Sequence, residues 1–153
     1  MVRMFRTVRW ILMVFLVVLI GAQFVRPVRD NPPTPAGSSL VGKATPEVAA
    51  ILDRACRDCH TNDTRWPWYT TVTPANWFVA NHVHHGRDHL NLSLWVSYDE
   101  DERDKYLGNM CNLVQRRRMP MPSYLLIHRD ATLSDAEIKT LCTWTEKMRD
   151  MLE

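Results

Sequence analysis

The sequence predicts an all-α protein: one apolar N-terminal helix, a proline-rich linker and a small helical body. Three observations carry that expectation. Apolar residues in the body recur at the i, i+3, i+4, i+7 spacing of a helix face. Helix-start signals of the Thr-Pro and Ser-x-x-Glu kinds stand before those stripes. No segment shows sustained two-residue alternation broken by hairpin turns.

Taken in order, the first element is Trp10 to Val25, sixteen residues without a charge and with one amide, Gln23. As a helix this run rises ~24 Å, and Arg9 and Arg26 can snorkel to cover the rest of a ~30 Å hydrocarbon core. Residues 1–26 therefore read as a retained membrane anchor, with a cleaved signal segment as the alternative. No clean small-x-small cleavage site follows the run. Three arginines precede it and two follow, a modest bias toward an inner N-terminus, so both readings put the body on the far side of the cytoplasmic membrane. Residues 27–44 contain Pro27, Pro32, Pro33, Pro35 and Gly37-Ser38-Ser39, the composition of a linker.

The body, residues 45–153, opens with Thr45-Pro46, a hydroxyl cap followed by proline in the first turn. Val48, Ile51, Leu52 and Ala55 then form one stripe. Thr73-Pro74 repeats the signal, and Gly86 reads as a stop, which predicts a helix near 74–85. Ser97 and Glu100 have capping-box spacing before a helix of about twenty residues striped by Tyr106, Leu107, Met110, Cys111 and Val114. Ser134 and Glu137 form a second box before a last helix with Ile138, Leu141, Thr145, Met148 and Leu152 on one side. Long loops at 61–73 and 119–133 are unusual in so small a bundle unless a bound group organises them.

Charge narrows the function. Residues 1–29 hold five arginines and no acid, so the remainder carries fourteen basic against seventeen acidic residues. A mildly acidic body lacks the footprint of a nucleic-acid binder.

Cys56-Arg57-Asp58-Cys59-His60 is a C-x-x-C-H sequence, the attachment signature of c-type haem. Two thiols spaced by two residues match the two vinyl groups of the porphyrin, and the next histidine can ligate the iron. A zinc site would need two further paired ligands, and Cys111 and Cys142 are isolated. A thiol–disulfide centre would open a helix after a strand, whereas this motif ends a helix. Haem c, one and covalent, is the expected cofactor.

Electron-transfer haems of this kind usually take a methionine sulfur opposite the histidine. Met119-Pro120-Met121-Pro122 supplies it: proline blocks the helix and fixes an extended loop. Met119 is the assigned ligand and Met121 the alternative; one of His82, His84, His85, His89 or His128 is a third option. His82, His85 and His89 would share a face only if their helix continued past Gly86, and a solvated face is their ordinary state.

These residues, with Asn62, Trp66-Pro67-Trp68-Tyr69, Pro74, Trp77, Gly86-Arg87, Asn91, Trp95, Met119-Pro120, Tyr124, His128, Ala131, Leu133, Glu137 and Trp144, resemble the small haem-binding domain family of bacteria, exported or membrane-anchored single-haem proteins of cytochrome c type. The resemblance runs from about Pro32 to the C-terminus and is weak between Val96 and Arg118. It implies haem attached at Cys56 and Cys59, with His60 as proximal and Met119 as distal ligand. Met121, Cys111 and Cys142 stand outside the family pattern.

Around the motif, Trp66, Trp68 and Tyr69 are candidates to wall the haem, with Trp66 or Trp68 donating its indole N–H to a propionate, and Arg65 a further candidate to pair with one. The carbonyl of Pro74 is a candidate to hold the second imidazole nitrogen of His60. The Arg116-Arg117-Arg118 run suits a helix C-terminus, with a docking patch for an acidic partner as the alternative. Cys111 and Cys142 either bridge the last two helices or stay as buried thiols.

The sequence thus predicts a single-pass protein of the bacterial cytoplasmic membrane, its monohaem domain in the periplasm or outside. It would carry single electrons between redox proteins in or near the membrane, with no nucleic acid and no small-molecule substrate. It would not be an enzyme. The alternative is a haem peroxidase or a small-ligand sensor with an open or labile sixth position.

Overall fold

The computed structural model describes residues 2–152. Met1 and Glu153, the outermost residues of the expected anchor and body, lie outside them. Every regular element among the described residues is a helix, and none is a strand. They divide into two compact units, one comprising the chain up to Asp30 with Trp66–His82, the other Asn31–Arg65 with the chain from Val83 onward.

In the first unit, α1 (Val2–Ala22) is exposed along nearly its whole length. Its stretch Arg3–Ala22 is long and apolar enough to cross a membrane. Just beyond it, Gln23 is paired with a backbone. Its Nε2 donates to the Thr73 carbonyl at 3.3 Å, and its Oε1 accepts from the Thr73 amide at 3.0 Å. The Thr73 hydroxyl donates to the Ala22 carbonyl at 3.2 Å, and Trp77 Nε1 to that of Val25 at 2.9 Å. Arg29 donates to both the carbonyl and the hydroxyl of Thr70, in the 3₁₀ turn Trp68–Thr71.

The second unit is built on α2 (Pro46–Ala55), α5 (Glu100–Gln115) and α7 (Asp135–Asp150). Thr45 caps α2 as its sequence predicts, accepting from the Val48 amide. The stripe Val48, Ile51 and Leu52 is buried against Leu107, Val114, Leu133, Ile138 and Leu141. Each such side chain withdrawn from water contributes about 1.5–3 kcal/mol, which is why these amphipathic faces fix the arrangement. The disulfide Cys111–Cys142 joins α5 to α7, with Cα atoms 4.8 Å apart. Single helical turns, α3 (Arg57–His60) and α6 (Pro122–Leu125), occupy the loops.

Three expectations are corrected. The capping box of α5 is Asp99–Glu102, not Ser97–Glu100. Ser97 lies in the preceding 3₁₀ helix Leu92–Ser97 and turns its hydroxyl back to the Leu94 carbonyl, while extended Asp99 accepts from the Glu102 amide at 2.8 Å. The helix also ends sooner, at sixteen residues. Arg117 adopts φ 54°, and the amides of Arg118 and Arg117 close onto the carbonyls of Leu113 and Val114. α4 runs Ala75–His89 instead of 74–85, with Gly86 inside it. The third concerns residues 31–44, read as a linker. They are laid down on the second unit: Leu40 is fully buried and its amide donates to the Leu92 carbonyl at 2.8 Å, while the Ser38 hydroxyl bonds the Ser93 carbonyl. Proline forbids helix there but not an extended, tied-down chain.

Candidate functional site

The C-x-x-C-H segment sits where α2 ends. Cys56 leaves helical geometry (φ −122°, ψ −31°), and the amides of Cys59 and His60 fold back onto its carbonyl at 3.3 and 3.0 Å. Cys56 thus stands at the N-cap of α3 and Cys59 lies within that single turn. Both are free thiols and half-buried, whereas the other two cysteines are paired. Burial, followed by repulsion from Cys59, pushes the Cys56 thiol up to about 12. Burial and then Asp58 push Cys59 up to about 11. Both are therefore neutral thiols at physiological pH.

His60 is fixed by its own ring. Nδ1 lies 2.9 Å from the carbonyl of Leu90. A carbonyl only accepts, so Nδ1 carries the hydrogen and Nε2 presents a lone pair. Burial holds the imidazole below its ordinary pKa, opposed by hydrogen bonding to Leu90. The residue is a neutral imidazole whose orientation is set by a backbone group. That role had been given to Pro74. The Pro74 carbonyl instead accepts from the amides of Trp77 and Phe78 at the start of α4, as a helix-opening residue must.

Leu90 is held from both sides. Its amide donates to the Gly86 carbonyl. The next residue, buried Asn91, donates to Asn62 Oδ1 at 2.7 Å and accepts from the Ser93 amide at 3.0 Å; the Asn62 amide donates to the Ser93 hydroxyl at 3.0 Å. Gly86 brings α4 against the motif: a Cβ there would stand 2.5 Å from the Cys59 carbonyl oxygen. Arg87, one residue on, donates to the Thr61 carbonyl at 2.8 Å and the Thr64 hydroxyl at 2.9 Å.

The Met-Pro loop is joined to the same motif. Asp58, between the two cysteines, accepts from Tyr124 Oη at 2.9 Å and from Arg65 Nε at 3.0 Å. Tyr124 lies on α6, two residues after Pro122. Met119 is half-buried and packs on the core that also receives Cys56 and Tyr124; its amide donates to the Leu113 carbonyl at the end of α5. Met121 precedes α6 and is also half-buried.

The remaining candidates separate. Cys56, Cys59, His60 and Met119 belong to the second unit, Trp66, Trp68, Tyr69 and Pro74 to the first. Trp66 is partly buried, and its Nε1 has no acceptor among the described residues. Trp68 is 79% exposed and meets Tyr69 edge-to-face at 6.0 Å. Arg65 is engaged by Asp58 and by the Asp53 carbonyl. Arg117 bonds Asp135 and the Leu133 carbonyl, so its guanidinium serves the fold. His82 bonds the Phe78 carbonyl, and His85 and His89 lie 6.4 Å apart between ring centroids. Among the described residues no three of His, Cys, Asp or Glu converge on a metal position.

Two free thiols on one turn, followed by an imidazole with an open Nε2, form a donor set that fits a haem. The sequence marks Gly86 as a helix stop and Asn62 and Asn91 only through the family resemblance; it points to neither Leu90 nor Ser93, since a backbone carbonyl leaves no signal in a sequence. Among known proteins, the haem-binding domain family matches residues 17–147 of this chain. No curated protein and no solved structure matches it.

Proposed function

The chain belongs to the haem-binding domain family, and on that premise we propose that it is a membrane-tethered monohaem cytochrome of c type, carrying single electrons. The observation that carries this reading is the His60 ring, whose Nδ1–H is directed at the Leu90 carbonyl, so that the lone pair resides on Nε2. A bound haem supplies a one-electron ferric–ferrous couple. Cys56 and Cys59 provide the two thiols for thioether bonds to its vinyl groups. His60 gives the proximal nitrogen, held neutral by burial and aimed by Leu90. Met119 gives the distal sulfur; its packing on the core that includes Cys56 favours it over Met121. With His60 and Met119 both holding the iron, the group would serve to carry electrons and the chain would bind no substrate and would not be an enzyme. Its partners are redox proteins in or near the membrane, which the tether keeps at high effective concentration. α1 anchors it in the cytoplasmic membrane, with the haem domain on the periplasmic or outer side.

The test is the full chain made with haem-maturation machinery. Haem should stay with the polypeptide through a denaturing gel and be lost in the Cys56→Ser/Cys59→Ser double variant. Met119→Ala should convert the ferric low-spin spectrum and abolish the near-infrared methionine–iron band, and Met121→Ala should leave both intact. A colourless wild-type chain overturns the reading, and an unchanged spectrum in Met119→Ala overturns the ligand.

A further inference from the structure

We propose that residues 66–82 form a collar seated in the headgroup layer of the bilayer, with Trp68, Val72, Trp77 and Phe78 as its lipid-facing side chains. The proposal rests on α1 being a retained anchor. Its partner is a lipid surface, identified by three observations within the first unit.

The first is depth. The apolar run ends at Val25, and the collar is fastened to the chain there: Thr73 to Ala22 and Gln23, Trp77 to Val25, and Thr70 to Arg29. Groups within hydrogen-bond distance of these atoms share their depth, where hydrocarbon gives way to headgroups. Gln23, the amide that interrupts the run, becomes intelligible: at the edge of the hydrocarbon an unpaired amide is costly, and the Thr73 backbone satisfies both its ends.

Charge is the second. From Trp66 to His82 there is no Lys, Arg, Asp or Glu, in a chain that is 24% charged. Three of its polar residues are turned inward, while Thr71 and Asn81 stay exposed. Thr70, Thr73 and Asn76 are at most 4% exposed, and Asn76 donates to the Thr73 hydroxyl.

The third is what faces out. Trp68 is 79%, Phe78 55%, Val72 46% and Trp77 39% exposed. Tryptophan, with an apolar ring and one N–H, favours the interfacial zone, and an uncharged apolar patch beside a membrane helix has that zone within reach.

The experiment places a photoreactive diazirine amino acid in the full haem-loaded chain, in bacterial membranes, at one of four positions: Trp68, Phe78, Leu16 in mid-anchor, or Asp101 on exposed α5. Haem absorption checks folding in each. Lipid adducts at 16, 68 and 78, several-fold above those at 101, are expected. Adducts at 16 with none at 68 and 78, or with protein cross-links there instead, overturn the collar while leaving the anchor. Absence of adducts at 16, or loss of that segment from the mature chain, shows that the anchor reading has failed, and the collar fails with it.

Discussion

At Gly86 an added Cβ would stand 2.5 Å from the Cys59 carbonyl oxygen and 3.1 Å from its carbon, both backbone atoms that no rotamer change can move. At Gly108 the nearest atoms are 3.7 Å away, at the end of the Arg149 side chain. Both glycines lie inside helices, where alanine alone would add about 1 kcal/mol. We therefore expect Gly86→Ala to lose about 2 kcal/mol through overpacking and to lower haem content. Gly108→Ala should be neutral or stabilised by up to about 1 kcal/mol. Urea midpoints of the two variants check this; equal midpoints would disprove the close approach at Gly86. At this scale the thiols and His60 were legible because their chemistry is written in five consecutive letters. Gly86 was read as a helix stop because its meaning lies in a neighbour 27 positions away.

Among the elements, α7 shows a cap working as a titratable device. The Glu137 carboxylate accepts from the Ser134 amide at 2.8 Å and its hydroxyl at 2.9 Å, and it pairs with Arg54. Hydrogen bonding from the Ser134 backbone, and then the hydroxyl and Arg54, hold this carboxyl below its usual range. A depressed carboxylate adds stability at neutral pH and loses it as pH falls through its folded value, which lies below the ordinary glutamate range. Glu137→Ala should cost about 1 kcal/mol at pH 7. The gap from wild type should narrow as the pH is lowered through the carboxylate range, as measured by thermal melts at neutral and acid pH. The disulfide closes a loop across 31 positions. Cys111→Ser/Cys142→Ser should cost about 3–4 kcal/mol on the chain-entropy scale, read as a lower melting temperature with haem still bound. The sequence located α2 and α7 because a cap and a stripe coincide in each. It misplaced the start of α5 because two acceptors two residues apart, Ser97 and Asp99, offered the same spacing. Only the backbone around them decided which one faces the helix.

For the molecule as a whole, the proline-rich stretch marks the passage from one unit to the other. Its prolines kept helix out of residues 27–40, with a 3₁₀ turn only at Val41–Lys43, but said nothing of whether the chain would be free or bound. Ser38 and Leu40 bind it to the second unit, because a buried leucine and a paired hydroxyl outweigh the entropy of an ordered strip of chain. The sequence by itself determined the helical class, the apolar N-terminal helix, the thiol–thiol–imidazole motif and the Met-Pro loop, since each is a local pattern of residue types at fixed spacing. Only the tertiary structure decided which carbonyl orients His60, why Gly86 has no side chain, where Gln23 finds its partners and which cysteines are joined. Those are pairings between groups far apart in the chain, and in three of the four one partner is a backbone atom, which is the same at every position.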